Sequence, residues 1–123
     1  MEGANKIKPI MDASQLKDGD HVNVEILDKY PLKKGEKIKV TLEVKVSSLK
    51  PQKDLMGEDG KPYKYCQVWV ADAYGKIVVH VFWELVDKFK EGKLLTLRNV
   101  QFELDSIGRK VLDASPLKGC TIN

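Results

Sequence analysis

Metal-ligand pairs are missing from this chain. Its two cysteines, Cys66 and Cys120, stand far apart with no Cys-x-x-Cys pair, and neither His21 nor His80 lies beside them. Structural zinc takes four Cys or His ligands in short paired spacings, so no zinc site and no cofactor are expected. Reduced thiols fit an intracellular protein. No apolar stretch approaches the roughly 20 residues needed to cross a bilayer, and Met1-Glu2-Gly3-Ala4-Asn5-Lys6 lacks the apolar core of a secretion signal. The expected location is nuclear, cytoplasmic or both, with no membrane partner.

Catalytic signatures are equally scarce. There is no Gly-rich phosphate loop, no Gly-x-Ser-x-Gly elbow and no Cys placed beside a His in a recognisable motif. The acidic pairs Asp18/Asp20 and Glu58/Asp59 fall among turn residues, where solvation accounts for them. A non-enzyme is expected. Neither sign of charge dominates: 21 Lys and Arg against 18 Asp and Glu leave a net charge of +3. That balance is compatible with a nucleic-acid partner but far from that of a histone or a strongly basic arm. Internal repeats and low-complexity tracts are absent as well.

What remains is an ordinary soluble composition, 42% hydrophobic and 32% charged over 123 residues. A chain of this length buries about two thirds of its unfolded surface, enough for one domain without staples. Its clearest signal is period-two alternation, the mark of half-buried strands. From Lys37 to Ser48, Ile38, Val40, Leu42, Val44 and Val46 alternate with polar residues. Two further strands, Lys64 to Asp72 and Lys76 to Trp83, flank a tight Gly turn. Cys66, Val68 and Val70 share one face with Ile77, Val79 and Val81, while Tyr65, Gln67 and Trp69 share the other with Val78, His80 and Phe82. A sheet face mixing flat rings with hydrogen-bonding groups suits the stacking of unpaired bases. Large exposed rings also suit a protein partner or a covering segment of the same chain.

The remaining stretches are less regular. Met1 to Lys8 is polar, Ile10, Met11 and Leu16 are apolar anchors, and Val22, Val24 and Ile26 alternate in a strand predicted over His21 to Leu27. Lys50 to Tyr63 mixes Pro51, Pro62, Gly57 and Gly60 without period and reads as a long mobile loop. Leu85, Val86 and Phe89 fit one face of a short helix ended by Gly92. A strand from Lys93 to Leu104 requires a slip near Arg98 and Asn99, the mark of a bulge, and a turn at Ser106-Ile107-Gly108 leads to a last strand, Arg109 to Ala114. Five strands with a helix between the third and fourth predict an all-β fold, the five-stranded Greek-key barrel called the OB-fold, with an N-terminal extension. The expected organisation is a flexible arm over 1–20, one OB domain over 21–114 and a tail over 115–123. If His21 to Leu27 is instead the first barrel strand, the binding loops shift.

The hairpin also carries a family likeness. Val70-Ala71-Asp72-Ala73-Tyr74-Gly75-Lys76-Ile77-Val78-Val79-His80-Val81-Phe82 resembles the Val-x-Asp-x-x-Gly-x-Ile pattern of the SOSS-type small single-OB-fold single-stranded DNA-binding proteins of eukaryotes and archaea. These are related to the OB domains of replication protein A. Lys90-Glu91-Gly92-Lys93-Leu94-Leu95-Thr96-Leu97 is similar to the family's entry into its fourth strand, and the likeness covers about Ile38 to Ala114. It implies single-stranded DNA binding, with Phe82 at the position of a base-stacking aromatic and a role in DNA repair or replication beside protein partners. Residues 115–123 do not resemble the Pro- and Gly-rich tail with which some relatives recruit partners.

Residue by residue, Trp69 and Phe82 are the expected base contacts. Tyr65 either stacks or covers the sheet edge, and His80 either joins the face or is an ordinary surface histidine. Trp83 is assigned to the core. Lys45, Lys50, Lys53, Lys61 and Lys64 lie on or beside the predicted loop and strands, with Arg98, Arg109 and Lys110 approaching from the other side to follow phosphates. Asp54, Glu58 and Asp59 share the loop and weaken that attraction. Stacking surfaces carry no reader of the 2′-hydroxyl, so RNA stays open beside DNA. The competing function is an OB-fold assembly subunit that binds partner proteins with little affinity for nucleic acid.

Overall fold

The computed structural model describes residues 12–123. The strands are β1 (Asp20–His21), β2 (Ile38–Leu49), β3 (Lys53–Met56), β4 (Pro62–Asp72), β5 (Gly75–Phe82), β6 (Leu94–Leu104), β7 (Lys110–Ala114) and β8 (Thr121–Ile122). Among the described residues, one α-helix, α1 (Val24–Lys29), and 3-10 turns at Ala13–Gln15, Trp83–Lys88 and Pro116–Lys118 join the strands. The barrel runs β2-β4-β5-β7-β6 and closes where β6 pairs back onto β2. β5 and β7 are parallel, and the other neighbours in the barrel are antiparallel. This is the closed OB-fold barrel expected from the strand pattern.

Alternation sets the barrel wall. Val40, Leu42, Val68, Val79, Val81, Leu97 and Phe102 point inward with no accessible surface. Each such side chain contributes about 1.5–3 kcal/mol by leaving water. The slip expected in the fourth long strand is real: the β2–β6 register shifts between Val40 and Leu42. Asn99 takes up the extra residue with a left-handed backbone, φ 56°, and its N–H donates to Thr41 Oγ1 at 3.4 Å.

Two expectations are corrected. His21 to Leu27 is not one strand, because Asn23 caps a helix: its Oδ1 accepts from Ile26 N–H at 2.9 Å. Val24 and Leu27, three apart, then share the buried face. The stretch Lys50 to Tyr63 is not one open loop either. Lys53–Met56 folds back onto the start of β4 as an added strand, with Lys53 opposite Tyr65 and Leu55 opposite Tyr63. The short helix expected after β5 is present as a 3-10 segment, Trp83–Lys88, that buries Leu85 and Val86.

The two ends also hold structure. Met1 to Met11, where much of the N-terminal arm was expected, lies outside the described residues. Within 12–20, Leu16 is buried and β1 pairs in parallel with β2. Residues 115–123, expected from sequence to form a tail, return to the barrel: Ile122 and Cys120 are buried, and β8 pairs with β6.

Candidate nucleic-acid interface

A two-residue turn holds the central hairpin. Asp72 and Gly75 pair directly, and Asp72 Oδ1 accepts from Tyr74 N–H at 2.8 Å, the Asx turn that lets Asp start such a reversal. Its Oδ2 accepts from Val24 N–H at the start of α1, also at 2.8 Å. Glycine follows because α1 comes close: a Cβ on Gly75 would sit 3.2 Å from Val24 Cγ1. One aspartate thus fixes the hairpin and the helix beside it.

Beyond the turn the register sets Tyr65 opposite Phe82, Gln67 opposite His80 and Trp69 opposite Val78. Directly opposed residues share a face, and it is the outer one, since Cys66, Val68 and Val70 are buried. Rings run along this face. Trp83 stacks on Tyr63 at 5.4 Å between centroids, Tyr63 lies 6.2 Å from Phe82, Phe82 lies 5.2 Å from Tyr65, and Tyr65 stacks on His80 at 5.7 Å. Tyr65 Oη and His80 Nδ1 are 2.5 Å apart. Burial is the main force lowering the His80 pKa, partly offset by Asp113, Asp105 and Glu103, so the ring is neutral at pH 7. That contact engages Nδ1 and leaves Nε2 free for a further hydrogen bond.

Past Gln67 the face opens into a groove of about 350 Å³, lined by Gln67, Trp69, Lys76, His80, Arg109 and Lys110 among others. Trp69 is 39% exposed there. Arg109 Nε–H donates to Asp105 Oδ2 at 2.9 Å while 71% of the Arg109 side chain stays in solvent. A hydrogen bond from the Arg109 backbone N–H is the main force holding the Asp105 carboxyl below its usual range. Lys110 Nζ donates to the Asp28 carbonyl at the end of α1, 2.6 Å away.

The structure therefore gathers Trp69, His80, Arg109 and Lys110 around one groove, with Tyr65 and Phe82 continuing from it. Other sequence candidates lie elsewhere. Lys45 lines a separate depression with Glu43, Asp72 and Leu94. Lys50 sits where β2 ends, its N–H bonded to the Gln67 carbonyl, beside Val86 and Phe89. Lys61 is exposed at the turn between β3 and β4. Lys64 points away from Tyr63 and Tyr65 and pairs with Asp87 at 3.1 Å. Arg98 is on β6 opposite Thr121, and β2 and β7 stand between β6 and the hairpin.

Tyr63, Lys76 and Trp83 were not among the candidates. Tyr63 has the parity of Tyr65 and was findable by starting the strand at Pro62. Trp83 is corrected from core to surface array: a left-handed backbone, φ 61°, turns its half-buried ring onto Tyr63. Parity loses its meaning where the strand ends.

Topology and site geometry define an OB-fold protein. No family model matches the chain, and no curated protein does. Solved structures match. One is the second OB-fold domain of replication protein A from Methanococcus maripaludis, at TM-score 0.57 and 18% identity over 70% of this chain and 82% of that one. A replication factor A related protein from Methanobacterium thermoautotrophicum matches at 0.59 and 17%, over 97% and 93%. A hypothetical protein from Arabidopsis thaliana matches at 0.60 and 23%, over 83% and 70%. At such identities the likeness is one of fold.

Proposed function

We propose that this protein binds single-stranded nucleic acid, DNA in the first instance, by stacking bases along the outer face of β4 and β5. The observation that carries this reading is the row of half-buried rings, Trp83, Tyr63, Phe82, Tyr65 and His80, leading to an exposed Trp69 in a groove with Arg109. Stacking tolerates any base, because every base has a π-face. Gln67 and Nε2 of His80 add hydrogen bonds, and Lys53, Lys76, Arg109 and Lys110 border the path for phosphates. The likeness to replication protein A domains supports a non-catalytic role in protecting or sensing exposed single strands during genome maintenance, beside partner proteins.

The test is a titration of the full chain with fluorescent oligothymidine, the matching RNA and duplex DNA, followed by anisotropy and tryptophan quenching. Saturable binding of the single strand with quenching, lost in the Trp69→Ala/Phe82→Ala double variant, is the expected result. Failure to bind any single strand at tens of micromolar protein would overturn it in favour of an OB-fold protein that docks on other proteins.

A further inference from the structure

Among the described residues, two buried side-chain atoms have no hydrogen-bond partner, His21 Nδ1 and Asp113 Oδ1. Asp113 stands beside the ring array: β7 runs parallel to β5 with Asp113 opposite His80, so both share the outer face. Its Oδ2 accepts from Lys118 Nζ at 3.0 Å, and the Asp113 side chain is only 12% exposed. A buried acceptor without a donor is unfavourable and calls for an explanation. Asp113 and Lys118 also line a depression of about 260 Å³ with Tyr63, Phe82, Trp83 and Ser115. One side of it is aromatic and the other is a charged pair. Trp83 reaches it through a left-handed backbone that a bulky residue adopts only under constraint.

We propose that this depression is a guanine-preferring base subsite and that Asp113 determines its specificity, an inference that rests on the base-stacking reading above. The Watson–Crick edge of guanine carries two adjacent donors, N1–H and the N2 amino group, next to the O6 acceptor. A carboxylate accepts two parallel N–H bonds side by side. Asp113 would gain the donor that Oδ1 lacks, and Lys118 would donate to O6. Oδ1 is closed to solvent as the side chain stands; a turn about the Cβ–Cγ bond, whose torsion is broad in aspartate, brings both oxygens edge-on to the base. Thymine offers one N–H between two carbonyls and sets an oxygen against the carboxylate. Cytosine and adenine each offer one amino group on that edge. Guanine alone satisfies both oxygens and the ammonium.

The experiment is a base scan on oligothymidine bound to the full chain, with one dG placed at each position in turn. At the best position dG is then replaced by deoxyinosine, which lacks the N2 amino group, and by dA and dC. We expect one position where dG binds roughly tenfold tighter than dT, with most of the gain lost in deoxyinosine. In Asp113→Asn the dG/dT ratio falls to about one, with thermal unfolding measured alongside. A flat scan on an oligothymidine that does bind would overturn the subsite and leave the stacking reading standing. A preference for dA or dC would overturn the guanine assignment, and a dG preference that survives in folded Asp113→Asn would remove Asp113 from it. If no single strand binds, both readings fall. Should Asp113→Asn not fold, the deoxyinosine comparison on the unaltered protein decides.

Discussion

Trp69 and Phe82 share a face without touching: Trp69 pairs with Val78 and Phe82 with Tyr65, four positions apart along the hairpin. Each is expected to stack on a different base. Loss of one stack costs about 1–3 kcal/mol, a fall in affinity of about 5- to 150-fold. Because the rings have no contact, Trp69→Ala and Phe82→Ala should be additive within about 0.5 kcal/mol. Anisotropy titrations of the two single variants and the double variant check this. A double variant no weaker than Trp69→Ala would show that Phe82 only packs beneath its neighbours. His80 makes a second prediction. Its folded pKa lies below the ordinary value of 6.5, chiefly through burial. Between the folded and unfolded pKa the unfolded chain binds the extra proton, so stability is full above about pH 6.5 and falls as the pH drops through that window. Urea midpoints of the parent and His80→Gln measured between about pH 8 and 5 should converge as the pH falls, since only the parent loses this contribution.

At the scale of elements, Asp72 joins two that sequence distance separates. Its two oxygens accept from Tyr74 and from Val24, so Asp72→Ala leaves a turn donor and a helix donor without partners. The expected cost is about 1–3 kcal/mol, read as a lower urea midpoint with an unchanged m-value. A change within a few tenths of a kcal/mol would mean that water replaces both bonds. The same residue shows what a sequence can disclose. β2, β4 and β5 were legible because one face is buried and the alternation is long, and this placed Tyr65, Trp69, His80 and Phe82 on one face. The stretch His21 to Leu27 misled because so short a run fits either period, and the deciding Asn23 cap is a contact of a side chain with backbone. The added strand β3 was hidden by Pro51, Gly57 and Gly60, which mark its turns but resemble an open loop. Lys64 and Asp87 lie 23 positions apart, a pairing that no local pattern reveals.

Over the whole molecule, positive charge is spread around the barrel rather than gathered at the site. Lys45, Lys50 and Arg98 sit away from the groove, and Lys64 and Lys118 are in ion pairs. Among the described residues, Lys53, Lys76, Lys110 and Arg109 stand beside the rings and groove, with the Arg109 charge shared with Asp105. A single strand laid along β4 and β5 therefore meets about three cations, and each phosphate neutralised on a single strand contributes about −0.7 to the slope of log K against log salt. The slope should be about −2, with most of the affinity persisting at high salt because stacking is not screened. Replacing Lys76 and Arg109 together by Gln should lower its magnitude to about 1, while Trp69→Ala should weaken binding without changing it. Titrations over a series of salt concentrations separate these outcomes. A parent slope near that of 6–10 phosphate contacts, about −4 to −7, would mean that the strand runs over the scattered lysines of the barrel surface instead of the rings.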